Sequence, residues 1–378
     1  YQIDRSLRFN SSDSAYLSRT PASAGNRKTW TWSGWIKRNK LGSNQTIFEA
    51  YTAINDTGYT QLKFRSADTL NLSGWNTNWK ITTQVFRDVS AWMHLVVAFD
   101  VTQATGSDRI KFYVNGQQIT DFGTDSAPSQ NTDHAVNNSI AHYVGYSAGN
   151  SGQYADLMLA DVYLIDGQAL DPTSFTEVDA TTGQLVPIAY SGTYGTNGFH
   201  LPFSDNSTAA ALGTDTSGNS NTWTVNNISV TAGAGNDSLV DTPTNYGTDT
   251  GAGGEVRGNY ATFNPLNVAG GGLSNGNLDL NGSSNFIQST IMVDSGKYYF
   301  EFTKNGNGDN QLGIAYGGSS ASTTGFRRVW RDNNGSPVWL TDGSNAGSGT
   351  ALSCAVGDVI GVALDMDNNA VYFSKNGT

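Results

Sequence analysis

Of the 378 residues, one is cysteine, eight are proline and four are glutamate. With Cys354 alone, a disulfide framework within the chain and any multi-cysteine zinc site are excluded, and its apolar-flanked run (351–356) reads as a strand with a small buried hydrophobe. Charged residues make up only 14%, so the Lys and Glu that build surface helices are scarce. No apolar stretch approaches the roughly 20 residues of a membrane span, and no signal peptide opens the chain, so a soluble protein is expected. Basic residues are outnumbered, 21 against 32 acidic, giving a net charge of −11 that would repel a phosphate backbone. Nucleic acid is therefore not an expected partner.

The glutamate deficit bears on catalysis. Retaining glycoside hydrolysis needs two carboxyls about 5–5.5 Å apart. The four glutamates, Glu49, Glu177, Glu255 and Glu301, lie far from one another in sequence, and no strand carries two of them. None of the four histidines, His94, His134, His142 and His200, sits in a nucleophile motif. His94 alternates with Val96 and Ala98 and reads as a strand residue. The Gly-rich runs at 251–254 and 270–272 lack the Lys-Ser/Thr of a phosphate loop. The chain reads as a non-enzyme.

What is abundant is Gly (44 residues), together with Asn, Ser and Thr, and a set of aromatic residues (9 Trp, 17 Tyr, 16 Phe) large enough to fill a core. Turn formers between short β-branched or aromatic runs predict an all-β protein. Trp30 and Trp32 alternate with Thr in Thr29-Trp30-Thr31-Trp32, so both rings face one side of a strand, and Gly34 is expected to bulge it. Asp171-Pro172 offers an N-cap and a first-turn proline, predicting a single helical turn. Residues 204–231 are expected to add an edge hairpin built on Trp223–Val225 and Ile228–Val230. Residues 232–259 are poor in apolar side chains and read as a linker.

Two sets of motifs carry resemblances. Trp92-Met93-His94 leading to Asp100, then Tyr113-Val114-Asn115-Gly116, with Ser33–Lys37 and Ala155–Leu170, resembles the laminin-G or concanavalin A-like jelly roll over residues 1–203. In such folds the terminal strands adjoin, which implies that Phe199–Phe203 lies beside Leu7–Phe9. Gly357-Asp358, Ile360-Gly361, Leu364-Asp365, Tyr372-Phe373 and Asn376-Gly377 resemble the core hairpin of a SPRY domain, with support from 296–302 and 311–315. The resemblance implies a SPRY-like sandwich over 260–378. It would be incomplete at its C-terminal side, and the chain is expected to be a piece of a longer one. The expected architecture is two tandem antiparallel β-sandwiches, 1–231 and 260–378.

The first resemblance implies a calcium ion at the rim of the sandwich, for which Asp100, Asn115, Asp156 and Asp161 match acidic or amide positions. Turn and cap chemistry at strand ends accounts for the same residues without a metal. Carbohydrate binding would use exposed rings beside amide and carboxylate groups. Trp75 and Trp79, in a polar segment, and Trp330 and Trp339 are the candidates. Together the two halves resemble virion proteins of tailed bacteriophages. That implies a tail fibre, appendage or capsid decoration on the virion surface, homo-oligomeric as such appendages are, with trimers frequent among them, and touching other virion proteins or a host-surface glycan. A secreted lectin-like adhesin and a polysaccharide-cleaving enzyme are the alternatives.

Overall fold

A computed structural model of the chain describes residues 1–150, 152–245, 247, 256–268, 272–282, 287–306, 311–315, 327–331, 338–341, 344–345 and 353–378. It divides into two units, Tyr1–Pro265 with Leu273–Leu280, and Leu266–Gly272 with Asn281–Thr378.

The first unit is an antiparallel sandwich. Its strands are β1 (Ser6–Phe9), β2 (Tyr16–Arg19), β3 (Thr29–Arg38), β4 (Gln45–Tyr51), β5 (Tyr59–Phe64), β6 (Thr69–Gly74), β7 (Thr77–Val85), β8 (Met93–Asp100), β9 (Ile110–Val114) and β10 (Gln117–Ile119). There follow β11 (Phe122–Asp125), β12 (Ala141–Val144), β13 (Tyr146–Ser147), β14 (Gln153–Tyr154), β15 (Leu157–Asp166), β16 (Thr176–Val178), β17 (Leu185–Pro187), β18 (Phe199–Leu201), β19 (Thr224–Asn226) and β20 (Ser238–Leu239). The first sheet runs β10-β9-β8-β3-β15-β1-β20, with β18 also on β15; the second runs β11-β7-β6-β5-β4-β12-β2-β19.

Period-2 alternation decides what lies between the sheets. Trp30, Trp32 and Ile36 of β3 point into the main core with Leu95, Val97 and Phe99 of β8, and meet Phe48, Leu62 and Leu72 from the second sheet. Trp30 stacks on Phe99 at 4.8 Å. The bulge expected at Gly34 lies elsewhere. β3 and β8 pair one to one from Thr29↔Asp100 to Ile36↔Met93, whereas the β15–β3 register jumps from Ala160↔Trp35 to Tyr163↔Ser33. The extra residue is thus on β15, at Asp161, which takes a positive φ of 52°. Gly34 is needed because a Cβ there would stand 2.9 Å from the Trp32 ring and 3.3 Å from Val162.

The terminal strands share one edge of β15 in succession. β1 pairs Leu157–Leu159 and β18 pairs Val162–Leu164, so they follow each other along that edge, one on each side of the bulge, and do not pair with each other. The single helical turn is Pro172–Ser174, capped by the Asp171 carboxylate accepting from Thr173 N. Instead of an edge hairpin, 204–231 supplies one edge strand, β19 on β2, with Trp223 and Ile228 inserted into the core.

The described residues of the segment expected to be a linker, 232–245, 247 and 256–259, belong to the first unit. β20 pairs with β1, and Arg8 Nε meets Asp237 Oδ1 at 2.9 Å while Lys37 Nζ meets Asp241 Oδ2 at 2.7 Å. Arg8 and Lys37 are fully buried, so each would be an unpaired buried charge without these partners. Residues 275–277 add to the same surface, the Asn275 carbonyl accepting from Arg8 Nη1 and Asn277 Nδ2 donating to Asn39 O. This segment covers one part of the outer face of the first sheet, and Leu170, Phe175, Tyr190 and Tyr194 cover another. Ile3, Trp35, Trp92, Met158 and Ala160 are buried there, as are Val96, Tyr163, Ile165 and Phe175.

In the second unit, Val359–Asp365 and Ala370–Lys375 form the hairpin read from the sequence, paired from Ile360↔Lys375 to Asp365↔Ala370, with Lys297–Thr303 on the other edge. Ile360, Val362 and Leu364 are its buried residues. A four-stranded sheet, 311–315, 327–331, 338–341 and 344–345, accompanies it. Cys354 is half-buried and outside any strand, against expectation.

Burial holds three imidazoles neutral, His94 at about 3 and His134 and His142 at about 4. A folded pKa below the unfolded value of about 6.5 gives stability that is full above pH 6.5 and is lost as pH falls toward 4. Each should cost about 2 kcal/mol between pH 7 and pH 5. The buried carboxyls Glu49, Asp166, Asp237 and Asp241, raised by burial, act in the opposite sense at lower pH. NMR titration of the folded protein should show these three imidazoles untitrated at pH 5.5; midpoints near 6.5 would contradict the assignment.

Candidate glycan-binding face

The outer face of the second sheet is the polar, ring-bearing surface of the first unit. Strand register sets one row across it: Thr224 (β19), Ser18 (β2), Tyr143 (β12), Glu49 (β4), Gln61 (β5) and Ser73 (β6) are successive cross-strand partners and share one side of the sheet. Their chain neighbours Leu17, Phe48, Ala50, Leu62 and Leu72 point the other way, into the core.

Two aromatic groups flank this row. Tyr146 and Tyr154, carried by the β13–β14 hairpin, stack at 4.7 Å. Tyr16 packs on Tyr146 at 5.0 Å, and Tyr143 meets Tyr146 edge-on at 5.4 Å. All four rings are half-buried, leaving part of each in solvent. On the other flank Tyr59 is edge-on to Tyr51 at 6.1 Å and to Trp75 at 6.5 Å. Trp75 begins the two-residue turn between β6 and β7, is 38% exposed, and is followed by Asn76 at φ 51°.

Glu49 fixes the loop that connects the two flanks. Its carboxylate accepts from Ser147 Oγ (2.6 Å), Ala148 N (2.7 Å), Gly149 N (3.0 Å) and Gln61 Nε2 (2.9 Å). Gly149 can lie close because it has no side chain; a Cβ would stand 2.7 Å from the Tyr59 ring. Burial pushes the Glu49 carboxyl up, against the lowering effect of those four donors. The Tyr59 hydroxyl, raised by burial and then by the Glu49 charge, reaches about 12. Glu49 is thus fully engaged and buried, an anchor for the loop and not a free acid or base.

Of the four tryptophans proposed from sequence, only Trp75 is found on this face. Trp79 is 3% exposed and belongs to the core, 5.7 Å from Phe99 and 5.0 Å from His134. Its indole occupies the space where Gly74 lacks a side chain. The polar setting of Trp79 in sequence hid this, because its strand neighbours point outward while the ring points in. Trp330 and Trp339 are direct cross-strand partners; their side chains lie outside the described residues.

The four oxygen ligands proposed for calcium do not converge. Asp100, at the end of β8, caps a turn by accepting from Thr102 and Gln103. Asn115 sits by the opposite end of β8, accepting from His94 N. Asp156 accepts from Ser11 N and Oγ. Asp161 accepts from Tyr1 Oη (2.6 Å), Tyr163 Oη (3.0 Å) and His200 Nε2 (2.6 Å). Each is used by turn, strand or outer-layer contacts, and no cluster of three metal-binding side chains occurs among the described residues. Sequence reasoning missed the tyrosine face altogether; the alternation Tyr143, Gly145, Ser147 and the isolated Tyr16 were the available signals.

Residues 10–175 match the Laminin_G_3 family model, described as the concanavalin A-like lectin/glucanases superfamily, and form a concanavalin A-like domain. No curated protein matches the sequence. Among solved structures, one from Bacteroides ovatus, described as carbohydrate binding, is 17% identical with a TM-score of 0.41, covering 60% of this chain and 59% of its own. A heptameric SAP-like pentraxin from Limulus polyphemus is 17% identical (TM-score 0.34; 44% of this chain, 78% of that one). A Trypanosoma rangeli sialidase is 13% identical (0.30; 38% and 21%).

The two neighbouring tryptophans separate core from surface. Trp79→Ala should cost about 3–5 kcal/mol in urea unfolding, as truncation of a core aromatic does. Trp75→Ala should cost less than about 1 kcal/mol. Equal losses would contradict their placement.

Proposed function

We propose that the chain is a non-catalytic glycan-binding protein whose ligand lies on the outer face of the second sheet. The observation that carries this is the pair of aromatic flanks, the half-buried Tyr16, Tyr143, Tyr146 and Tyr154 on one side and the exposed Trp75 on the other, held by a row whose middle members Glu49, Gln61 and Ser73 are buried. Ring faces take the apolar side of a pyranose, and exposed polar groups beside the rings take its equatorial hydroxyls. Two facts favour binding over cleavage. The buried Glu49 carboxylate is saturated by four donors, and no paired-glutamate strand motif exists.

Within this proposal we assign the chain to the surface of a tailed-phage particle, as a fibre, appendage or capsid decoration, in homo-oligomeric form and in contact with other virion proteins. Support comes from the motif resemblances around Trp92–Asp100 and Gly357–Gly377. The second unit would be the SPRY-like partner domain. The hairpin register from Ile360↔Lys375 to Asp365↔Ala370 agrees with that motif. Recovery of the chain from purified particles by mass spectrometry would support the assignment, and its detection only in the secreted fraction of an uninfected cell would overturn it.

A glycan array probed with the full chain should give binders whose affinity falls about tenfold in Trp75→Ala and in Tyr146→Ala, the loss of about 1.4 kcal/mol expected for one stacking ring. A blank array, or binding untouched by both substitutions, would refute the site. Release of reducing sugar from a bound polysaccharide would refute the non-catalytic reading.

A further inference from the structure

Lys37 is the fully buried amine of the outer layer, and its surroundings are reactive in kind. Its Nζ lies 2.7 Å from Asp241 Oδ2, 2.8 Å from Asn259 Oδ1 and 2.7 Å from the Tyr260 carbonyl. Backbone constraints hold all three partners in place. Lys37 is in the middle of the sheet, opposite Met158 of β15. Asp241 and Gly258 form a parallel bridge, with Thr242 N donating to Gly258 O at 2.8 Å, so Asp241 and Asn259 are set side by side. Trp92 Nε1 donates to Asp241 Oδ1 at 2.8 Å, leaving Oδ2 to Lys37.

We propose that Lys37 and Asn259 are a modification site, at which the Lys37 amine condenses with the Asn259 carboxamide to form an intramolecular isopeptide bond, with Asp241 as the proton carrier. An amine and a carboxylic acid held away from water, in contact with a carboxamide at the exposed margin, are the set this condensation needs, and holding them in contact removes the entropic part of the barrier. The ground state is an ion pair in which all three Nζ hydrogens are accepted. Burial lowers the Lys37 amine and raises the Asp241 carboxyl, so transfer of a proton from one to the other is favoured by the site.

The balance is closed. Lys37 ammonium gives one proton to the Asp241 carboxylate, and the freed electron pair on Nζ attacks Asn259 Cγ. The Nζ–Cγ bond forms and the Cγ–Nδ2 bond breaks. A second proton passes from Nζ through Asp241 to Nδ2, which leaves as ammonia and takes up a proton to become ammonium. Asp241 ends as a carboxylate, and no oxidant or co-reactant is consumed. The leaving nitrogen has an exit, because Asn259 Nδ2 donates to Ser90 O at 2.7 Å on the exposed side.

The product would bolt Asn259 to β3. Intact-mass measurement of the full chain under denaturing conditions tests it. The expected mass is about 17 Da below the sequence value, the mass of ammonia. Digestion should yield a branched peptide joining Lys37 to Asn259, uncut after Lys37. Asp241→Asn, which keeps the shape and removes the proton carrier, should return the full mass. A wild-type chain at full mass, with a free peptide ending at Lys37, would overturn the proposal. So would a loss of about 18 Da with the link at Asp241, since water and not ammonia would then have left. An Asp241→Asn chain still linked would overturn the role given to Asp241.

Discussion

Buried cations of the first sheet govern the shape of the first unit, Arg8 and Lys37 on its outer face and Arg38 on its inner side over the Phe64 ring. Arg8 of β1 and Lys37 and Arg38 of β3 are all at most 1% exposed. A charge removed from water costs several kcal/mol unless it is paired and hydrogen-bonded. Arg38 finds Asp68, from the β5–β6 turn. The other two find Asp237 and Asp241, which the chain supplies only after β19. A stretch too polar to form a core of its own is therefore ordered by charges placed more than two hundred residues earlier in the case of each pair. Turn chemistry completes the layer, since Asp237 also accepts from Ser229 N and Asp241 from Trp92 Nε1.

One consequence is asymmetry between the two faces of the sandwich. The first sheet has a second apolar layer over it, with Trp35, Trp92, Tyr163 and Phe175 buried there. The outer face of the second sheet is buried at its middle, where Glu49, Gln61 and Ser73 lie, and meets solvent at its flanks through the half-buried tyrosines and Trp75. Its polar row from Ser18 to Ser73 is held by cross-strand pairing on both sides, and its loop is rigid because Glu49 gathers three donors from residues 147–149. Preorganised rings and amides lose little entropy when a ligand lands on them. This is the physical reason for locating recognition on the second sheet, whereas the β15 bulge and its Asp161 network serve the covered side.

Strand identity was legible in the sequence because alternation is a local property. Trp30/Trp32, the Trp92–Asp100 strand, the Pro172 turn and the Val359–Lys375 hairpin all stand where their periodicity and turn residues put them. What failed was everything that depends on a partner distant in sequence. Gly34 looked like a bulge, but the bulge belongs to the strand opposite, and only the register shows it. Residues 232–259 looked like a linker because composition counts apolar residues and cannot see that Asp237 and Asp241 answer Arg8 and Lys37. Trp79 looked exposed for the same reason that Asp100, Asn115, Asp156 and Asp161 looked like a cluster: a sequence lists neighbours along the chain, and these residues are divided among separate ends and faces of the sheets. The tyrosine face was invisible because Tyr16, Tyr143, Tyr146 and Tyr154 come from three separate parts of the chain.

The first unit is completed by the segment after residue 231, through the buried cations it neutralises. Thermal unfolding of two fragments, 1–231 and 1–282, tests it most directly. Fragment 1–282 should show a cooperative transition, and 1–231 should lose it or melt at a midpoint lower by well over 10 °C, as two orphaned buried charges at about 3–5 kcal/mol each would require. Equal melting temperatures for the two fragments would contradict it.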